Sequence, residues 1–508
     1  MQVDALIESP FRDASTHPLY SNSFLHVRPA PEYATGEVVL ASLVRNVGFG
    51  QKLEGKVPGN GGDLLRRVQK EKPTGSPLLA VDSWQSVLES SLRSPKQPNQ
   101  SSKRFLQLCP LVPDCALYSS SARSTTNSWN PGEMVQRIVS FGAHDPKSAA
   151  RTWQRLFESL SISEAVDDPW AVRVQAEFET WRVNDTRWSL QALEAQPLVD
   201  SWRDGGGDSP ACRFVEDLDY VMDMKHLLTR RQWVSMLESL LRLACGTHVL
   251  WLCRANHLTF RLLEKALEGS APPSSTEIRS MLGRGAPGFW RYGQYSADTI
   301  DEIARSYLRA RVGLNVLLQL GDEVGCEFVS AVTSPLGSPD AICKTAGWLF
   351  DNRADFPLAQ LRSTVEAVID GNPRLFAIKK GVGSNIKEFL RHCLGQRQTA
   401  EEGMKSYDQG YWLRKNGYHS SAKWIVSAGP VAVLLMVHCC CRRTIGPATT
   451  DDLCRHLGEY GITLRADDVT GVGDLGPTLR RMGLVTDSPD AEGGMLIRNP
   501  FRNAEETR

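Results

Sequence analysis

The sequence predicts a mainly α-helical, multidomain protein, and three observations lead there. At 508 residues the chain is too long for one ordinary hydrophobic core. Its 41% hydrophobic and 23% charged residues are those of a globular chain. Helix-start signals then recur through the middle: "NPGEMVQRIVSF", "DPKSAARTWQRLFESL", "DDPWAVRVQAEFETW" and "DSPACRFVEDLDYVMDM" each set Asn or Asp before Pro and an apolar periodic run. Proline suits the first helical position, where its missing N–H has no intrahelical partner, and the preceding Asn or Asp caps.

Taken in order, residues 1–130 read as a mixed α/β region. "GEVVLASLV" fits a strand, "DLLRRVQKEK" and "DSWQSVLESSLR" fit helices, and "RFLQLCPLVPDCALYSS" fits a strand broken by prolines. The polar run "SSSARSTTNSWNPG" marks the first boundary. Residues 131–372 form the expected helical domain, with seams at "DGGGDSP" (204–210) and "GSAPPSSTE" (269–277). "WQSVLESSLR", "WQRLFESLSI" and "WVSMLESLLR", starting at Trp84, Trp153 and Trp233, share a pattern whose spacings of 69 and 80 residues fit no regular solenoid. Three amphipathic helices with similar packing stripes account for them.

Charge and cysteine usage narrow the partners. Lysine plus arginine equals aspartate plus glutamate at 58 each, which removes any global charge argument for nucleic acid or anionic lipid. The N-terminus "MQVDALIESPFRDASTHPLY" lacks a basic segment followed by an apolar one, so no secretory signal is expected. Twelve cysteines without a dense, regular framework suggest buried thiols in a reducing cytoplasm.

The charge is nevertheless local. From Arg374 to Arg443 there are 12 basic residues against four acidic ones, 12 − 4 = +8. Within the segment 373–423, "KSYDQGYWLRKNGYHSSAKW" interleaves Tyr407, Tyr411, Trp412 and Tyr418 with Arg414, Lys415 and Lys423. Cations meet phosphates and aromatic faces stack on bases, so the mixture suits nucleic acid; a solvated basic face or a dock for an acidic protein also fits.

The last segment, 424–508, opens on 18 residues without a formal charge, "WIVSAGPVAVLLMVHCCC", followed by Arg442 and Arg443. Gly429-Pro430 divides the run and leaves a helix from Pro430 to Cys441 of about 18 Å, too short to cross ~30 Å of hydrocarbon. An all-apolar helix must be covered by protein. "TTDDLCRHLGEYG" and "DLGPTLRRMGLV" supply two covering helices, and "LVTD" and "MLIRN" supply two short strands joined by a turn.

Three helices followed by a hairpin, over about 424–502, resemble a winged-helix domain; Leu479, Met482, Gly483, Leu484 and Val485 carry the resemblance. It implies a third helix that enters a DNA groove, with Arg480 and Arg481 on it, and a wing holding Arg498. Residues 444–508 carry seven basic against 11 acidic residues, with Asp487, Asp490 and Glu492 at the wing tip, so a protein-interaction module is the competing expectation.

No phosphate loop, H-E-x-x-H or G-x-S-x-G is present, and "GKVPGNGGD" (55–63) reads as a turn. Adjacent helical residues point about 100° apart, so Cys439, Cys440 and Cys441 cannot converge on one metal, and His438, Cys454 and His456 add no C-x-x-C pair. Glu216, Asp219 and Asp223 share a helical face and read as solvated acids rather than a Mg²⁺ site. Asp370 with Lys379 or Lys380 resembles a nuclease site, though Ala377 stands where its second acid belongs.

The expectation is a cytoplasmic, non-catalytic accessory or adaptor component of a bacterial multi-protein complex, such as defence or mobile-element machinery, a context that no motif carries. DNA and other protein subunits are its expected partners, with no metal, cofactor, catalytic residue or membrane span. Arg414, Lys415, Lys423, Arg442, Arg443, Arg480 and Arg481 are the nucleic-acid candidates. A scaffold that touches no nucleic acid and a divergent metal-dependent nuclease are the alternatives.

Overall fold

Side-chain caps start the helices where the Asp/Ser/Thr signals stand. The Asp145 carboxylate accepts the Ser148 N–H at 2.8 Å and opens helix Pro146–Leu160, and Ser338 does the same for Pro339–Asp351. Thr229 and Gln232 form a capping box ahead of the central helix, Arg230–Leu267, whose 38 residues extend about 57 Å. The computed structural model describes residues 3–12, 15–27, 35–49, 81–92, 110–117, 131–180, 187–193, 209–283, 288–325, 336–397, 408–417, 422–470, 473–486 and 494–501.

The described residues are mainly α, 67% helical and 5% strand. The central helix is long and apolar enough to cross a membrane, but 94% of its most apolar window lies buried inside the protein. Helix Ala297–Val324 lies along it, and Gly36–Gly48, Pro131–Gly142, Pro210–Asp223, Pro339–Asp351, Gly381–Leu394 and Pro430–Arg443 pack against it. Their buried apolar residues form one cluster running from Leu6 to Ile497. Segments 131–372, 373–423 and 424–508 therefore share buried surface. Trp84, Trp153 and Trp233 are all buried in it, as three amphipathic helices require.

The N-terminal expectation is corrected. "GEVVLASLV" is the start of helix Gly36–Gly48, not a strand, and Pro113–Leu117 of the second expected strand is a 3-10 turn. Before residue 131 the described residues hold no strand. Every residue from Gly36 to Gly48 is buried, so the run is apolar on all sides and its periodicity could not separate strand from helix. "DLLRRVQKEK", "GKVPGNGGD", the seam at 204–208 and most of "SSSARSTTNSWNPG" lie outside the described residues.

Strand occurs where it was not expected. β1 (Trp290–Arg291) runs parallel to β4 (Ile462–Thr463), and β2 (Leu413–Lys415) pairs antiparallel with β3 (Trp424–Val426). The last hairpin, β5 (Val485–Thr486) with β6 (Leu496–Ile497), is the one that was expected, in "LVTD" and "MLIRN". Residues 293–296 lie beside β3, with Gly293 and Ser296 donating to the Val426 and Trp424 carbonyls at 2.8 and 3.0 Å. The stretch 288–296 thus stitches the β2–β3 hairpin to the C-terminal segment.

Candidate nucleic-acid interface

The β2–β3 hairpin is rooted by burial and one arginine. Trp412 and Leu413 are buried, and the Trp412 indole N–H donates to the Ser239 carbonyl of the central helix at 3.0 Å. Arg242, on the same helix, donates to the carbonyls of Cys393 at 2.6 Å and Gly395 at 2.8 Å and to the Asp408 carboxylate at 2.8 Å. A buried guanidinium persists only with its donors engaged, so it clamps the chain ahead of the hairpin.

That root sets the cations. Lys415 stands 5.6 Å over the Trp424 ring and Lys423 stands 5.1 Å over the half-exposed Tyr295 ring. Arg414 pairs with Asp474, at the start of the terminal helix Leu475–Arg481. Gly476 and Pro477 fall in the first turn of that helix, where proline is tolerated, and do not kink it. Glycine is required at 476: a Cβ would sit 2.2 Å from the Val469 carbonyl oxygen.

Hairpin and terminal helix face each other across a cleft of about 410 Å³. Arg414 and Arg481, 67 residues apart in sequence (481 − 414), both line it, together with Tyr292, Tyr411, Asp474 and Thr478. Arg481 is exposed and donates to the Thr478 hydroxyl at 3.1 Å; it has no carboxylate partner among the described residues. Arg480 is exposed beside it and reaches the Met495 sulfur at 3.2 Å.

The other two candidates lie elsewhere. Pro430 borders the cleft, and Arg442 follows 12 residues later on the same helix, about 18 Å away. There Arg442 meets the Tyr220 ring at 5.9 Å and Asp223 at 3.7 Å, and Arg443 holds Glu459 at 2.6 Å. Tyr407, Tyr418 and the wing-tip acids Asp487, Asp490 and Glu492 lie outside the described residues.

Beyond the helix Pro430–Arg443 the chain builds a small sheet. Thr450 N–H donates to the Met495 carbonyl at 2.9 Å, Ile497 N–H to Ala448 at 2.8 Å, and Arg498 N–H to Leu484 at 2.8 Å. Residues 448–450 therefore flank β6 on the side opposite β5. A buried polar cluster joins this segment to helix Pro210–Asp223: Asp217 accepts from His456 Nε2 at 2.9 Å, the Tyr460 hydroxyl at 2.7 Å and Arg213 Nε at 3.1 Å. Burial pushes the Asp217 carboxyl up, but His456, Arg213 and Tyr460 together hold it below the usual carboxylate range.

The metal candidates are otherwise engaged. His438 meets the Asn499 side chain at 3.1 Å, Cys439 is fully buried, and burial pushes the Cys440 thiol up to about 12. Arg155 bridges Asp219 and Asp223 at 2.7 and 2.8 Å, and Arg213 holds Glu216. No cluster of three or more metal-ligating side chains exists among the described residues. A nuclease site of the kind that Asp370 and Lys379 resemble sets a strand between its acid and its lysine, but here Pro373–Phe376 is a helical turn capped by Ala377, and Ile378 follows at φ 57°.

No protein-family model, curated protein or solved structure matches this chain. Sequence reasoning found Arg414 and Arg481 but not that they share a cleft. It also passed over Tyr292 and Tyr295, although "FWRYGQY" at 289–295 carries the same basic and aromatic character as the hairpin.

Proposed function

We propose that this protein is an accessory or adaptor component that binds nucleic acid through the face shared by the β2–β3 hairpin and the terminal helix. One observation carries the reading: a single cleft gathers two arginines and two tyrosines from segments that the sequence keeps apart. Arginine engages phosphate through a planar fork of donors, and tyrosine offers a ring to a base. In this reading residues of about 424–502 are a winged-helix unit, supported by the order Pro430–Arg443, edge strip 448–450, Thr450–Glu459, β4, Ala466–Thr470, Leu475–Arg481, β5, β6, with 448–450 bonded along β6. Arg442 and Arg443 then belong to the fold rather than to the interface.

A second reading, a protein scaffold without nucleic acid, is favoured by the ion pairs that Arg414, Arg442 and Arg443 make with acids of their own chain. Titrating the full chain with labelled duplex and single-stranded DNA from ~50 to ~200 mM salt separates the two. Phosphate contacts predict binding that weakens linearly in log–log form with salt. Absence of binding at ~50 mM, where such contacts are strongest, would leave only the scaffold.

A further inference from the structure

We infer that the cleft receives one unpaired nucleotide of a nucleic-acid strand, with its base against Tyr411 and its phosphate at Arg481. This rests on the nucleic-acid reading and narrows it from a charged face to a defined ligand. Size is the first argument. At about 410 Å³ the cleft falls within the roughly 300–1,000 Å³ of small-ligand sites, so a single nucleotide enters and a base-paired duplex does not.

Charge is the second. The side chains lining the cleft carry two cations, Arg414 and Arg481, and one carboxylate, Asp474, so 2 − 1 = +1. One phosphodiester carries one negative charge and matches that balance; a triphosphate does not. The two cations are also unequal. Asp474 neutralises Arg414 and fixes it to the wall, whereas Arg481 donates to the Thr478 hydroxyl and has no carboxylate partner among the described residues, which leaves donors to offer an anion.

Rigidity is the third. Tyr292 is buried, and its hydroxyl accepts the Ala428 N–H at 3.2 Å. Tyr411 is half-buried and packs on Gly429, where a Cβ would stand 2.9 Å from Tyr411 Cδ1 and 2.2 Å from the Gln409 carbonyl. Neither ring must be ordered when a base arrives, so little conformational entropy opposes stacking. Within a duplex each internal base is paired and stacked on both faces, while an unpaired nucleotide presents both its base and its phosphate to the cleft.

The test uses the full chain at fixed low salt with three probes: a blunt DNA duplex, the same duplex with a short unpaired extension, and free AMP. The extended duplex should bind roughly ten-fold or more tightly than the blunt one, the effect of one base–aromatic stack. Tyr411→Leu should lower the affinity for the extended duplex and so abolish that preference, Tyr411→Phe should retain it, and unchanged thermal midpoints show that both variants fold. Equal, salt-dependent binding of blunt and extended duplex would overturn the cleft assignment and leave the nucleic-acid reading standing. Absence of binding by either DNA would overturn both. Saturable AMP binding that Tyr411→Leu removes, without a preference for the extension, would overturn the strand as the source of the nucleotide.

Discussion

The two ends of helix Pro430–Arg443 treat Arg481 and Arg443 in opposite ways. At its N-terminal end Arg481 faces a cleft with a hydroxyl partner. At its C-terminal end Arg443 shares Glu459 with Arg213, beside the buried carboxylate of Asp217. The Arg213 guanidinium, taken out of water, must be met by carboxylates, and Arg443 shares one of them, while the exposed Arg442 meets Asp223 at 3.7 Å. A cation left at a cleft remains available to a ligand. Counting basic residues along the chain cannot separate these roles, because the partners that decide them arrive from distant segments.

The comparison breaks first at the buried cluster. Asp217→Ala leaves Arg213 without its internal carboxylate and should lower stability by about 3–5 kcal/mol, read as the midpoint of urea unfolding. If the cluster only decorates the surface of the joint, the midpoint will barely move. Gly476→Ala drives a Cβ toward the Val469 carbonyl and should cost about 1–3 kcal/mol in the same assay, while displacing the helix that carries Arg481.

Acid sharpens the contrast. Burial holds the His438 imidazole below its usual range, and burial, with the nearby Arg137 charge, pushes His248 down to about 3. A depressed histidine contributes stability that is complete above the unfolded value of ~6.5 and is lost as pH falls toward the folded one. Lowering pH from 7 to 5 should therefore reduce the urea midpoint, and His248→Leu should remove part of the fall. At the cleft, Arg481→Ala should change stability by no more than about 0.5 kcal/mol, as expected for an exposed side chain whose hydrogen bond is to the Thr478 hydroxyl on its own helix.

Much of the architecture was legible. Asn or Asp before proline marked helices Pro131–Gly142, Pro146–Leu160 and Pro169–Thr180, the run "TTDDLCRHLGEYG" marked Thr450–Glu459, and Gly429-Pro430 marked the start of Pro430–Arg443. Caps act through residues three apart, which a sequence displays directly. The strands were less legible because their pairing is long-range: β1 exists only because Ile462–Thr463 lies beside it, 172 residues later (462 − 290). "GEVVLASLV" misled for a different reason, since a helix buried on every side shows no polar face. At the candidate site the residue types were visible, while the shared cleft of Arg414, Tyr411 and Arg481 required the fold.

The proposed interface requires that Arg481 of the cleft and Lys423 of the hairpin face meet phosphate and that Arg442 and Arg443 do not. The most direct measurement is the salt dependence of DNA binding by the full chain and four single variants, Arg481→Ala, Lys423→Ala, Arg442→Ala and Arg443→Ala. Each lost phosphate contact should reduce the log–log salt slope by about one unit. The account predicts that reduction for Arg481→Ala and Lys423→Ala, with the parental slope retained by the other two. Equal reductions in all four variants, or in Arg442→Ala and Arg443→Ala alone, would contradict it.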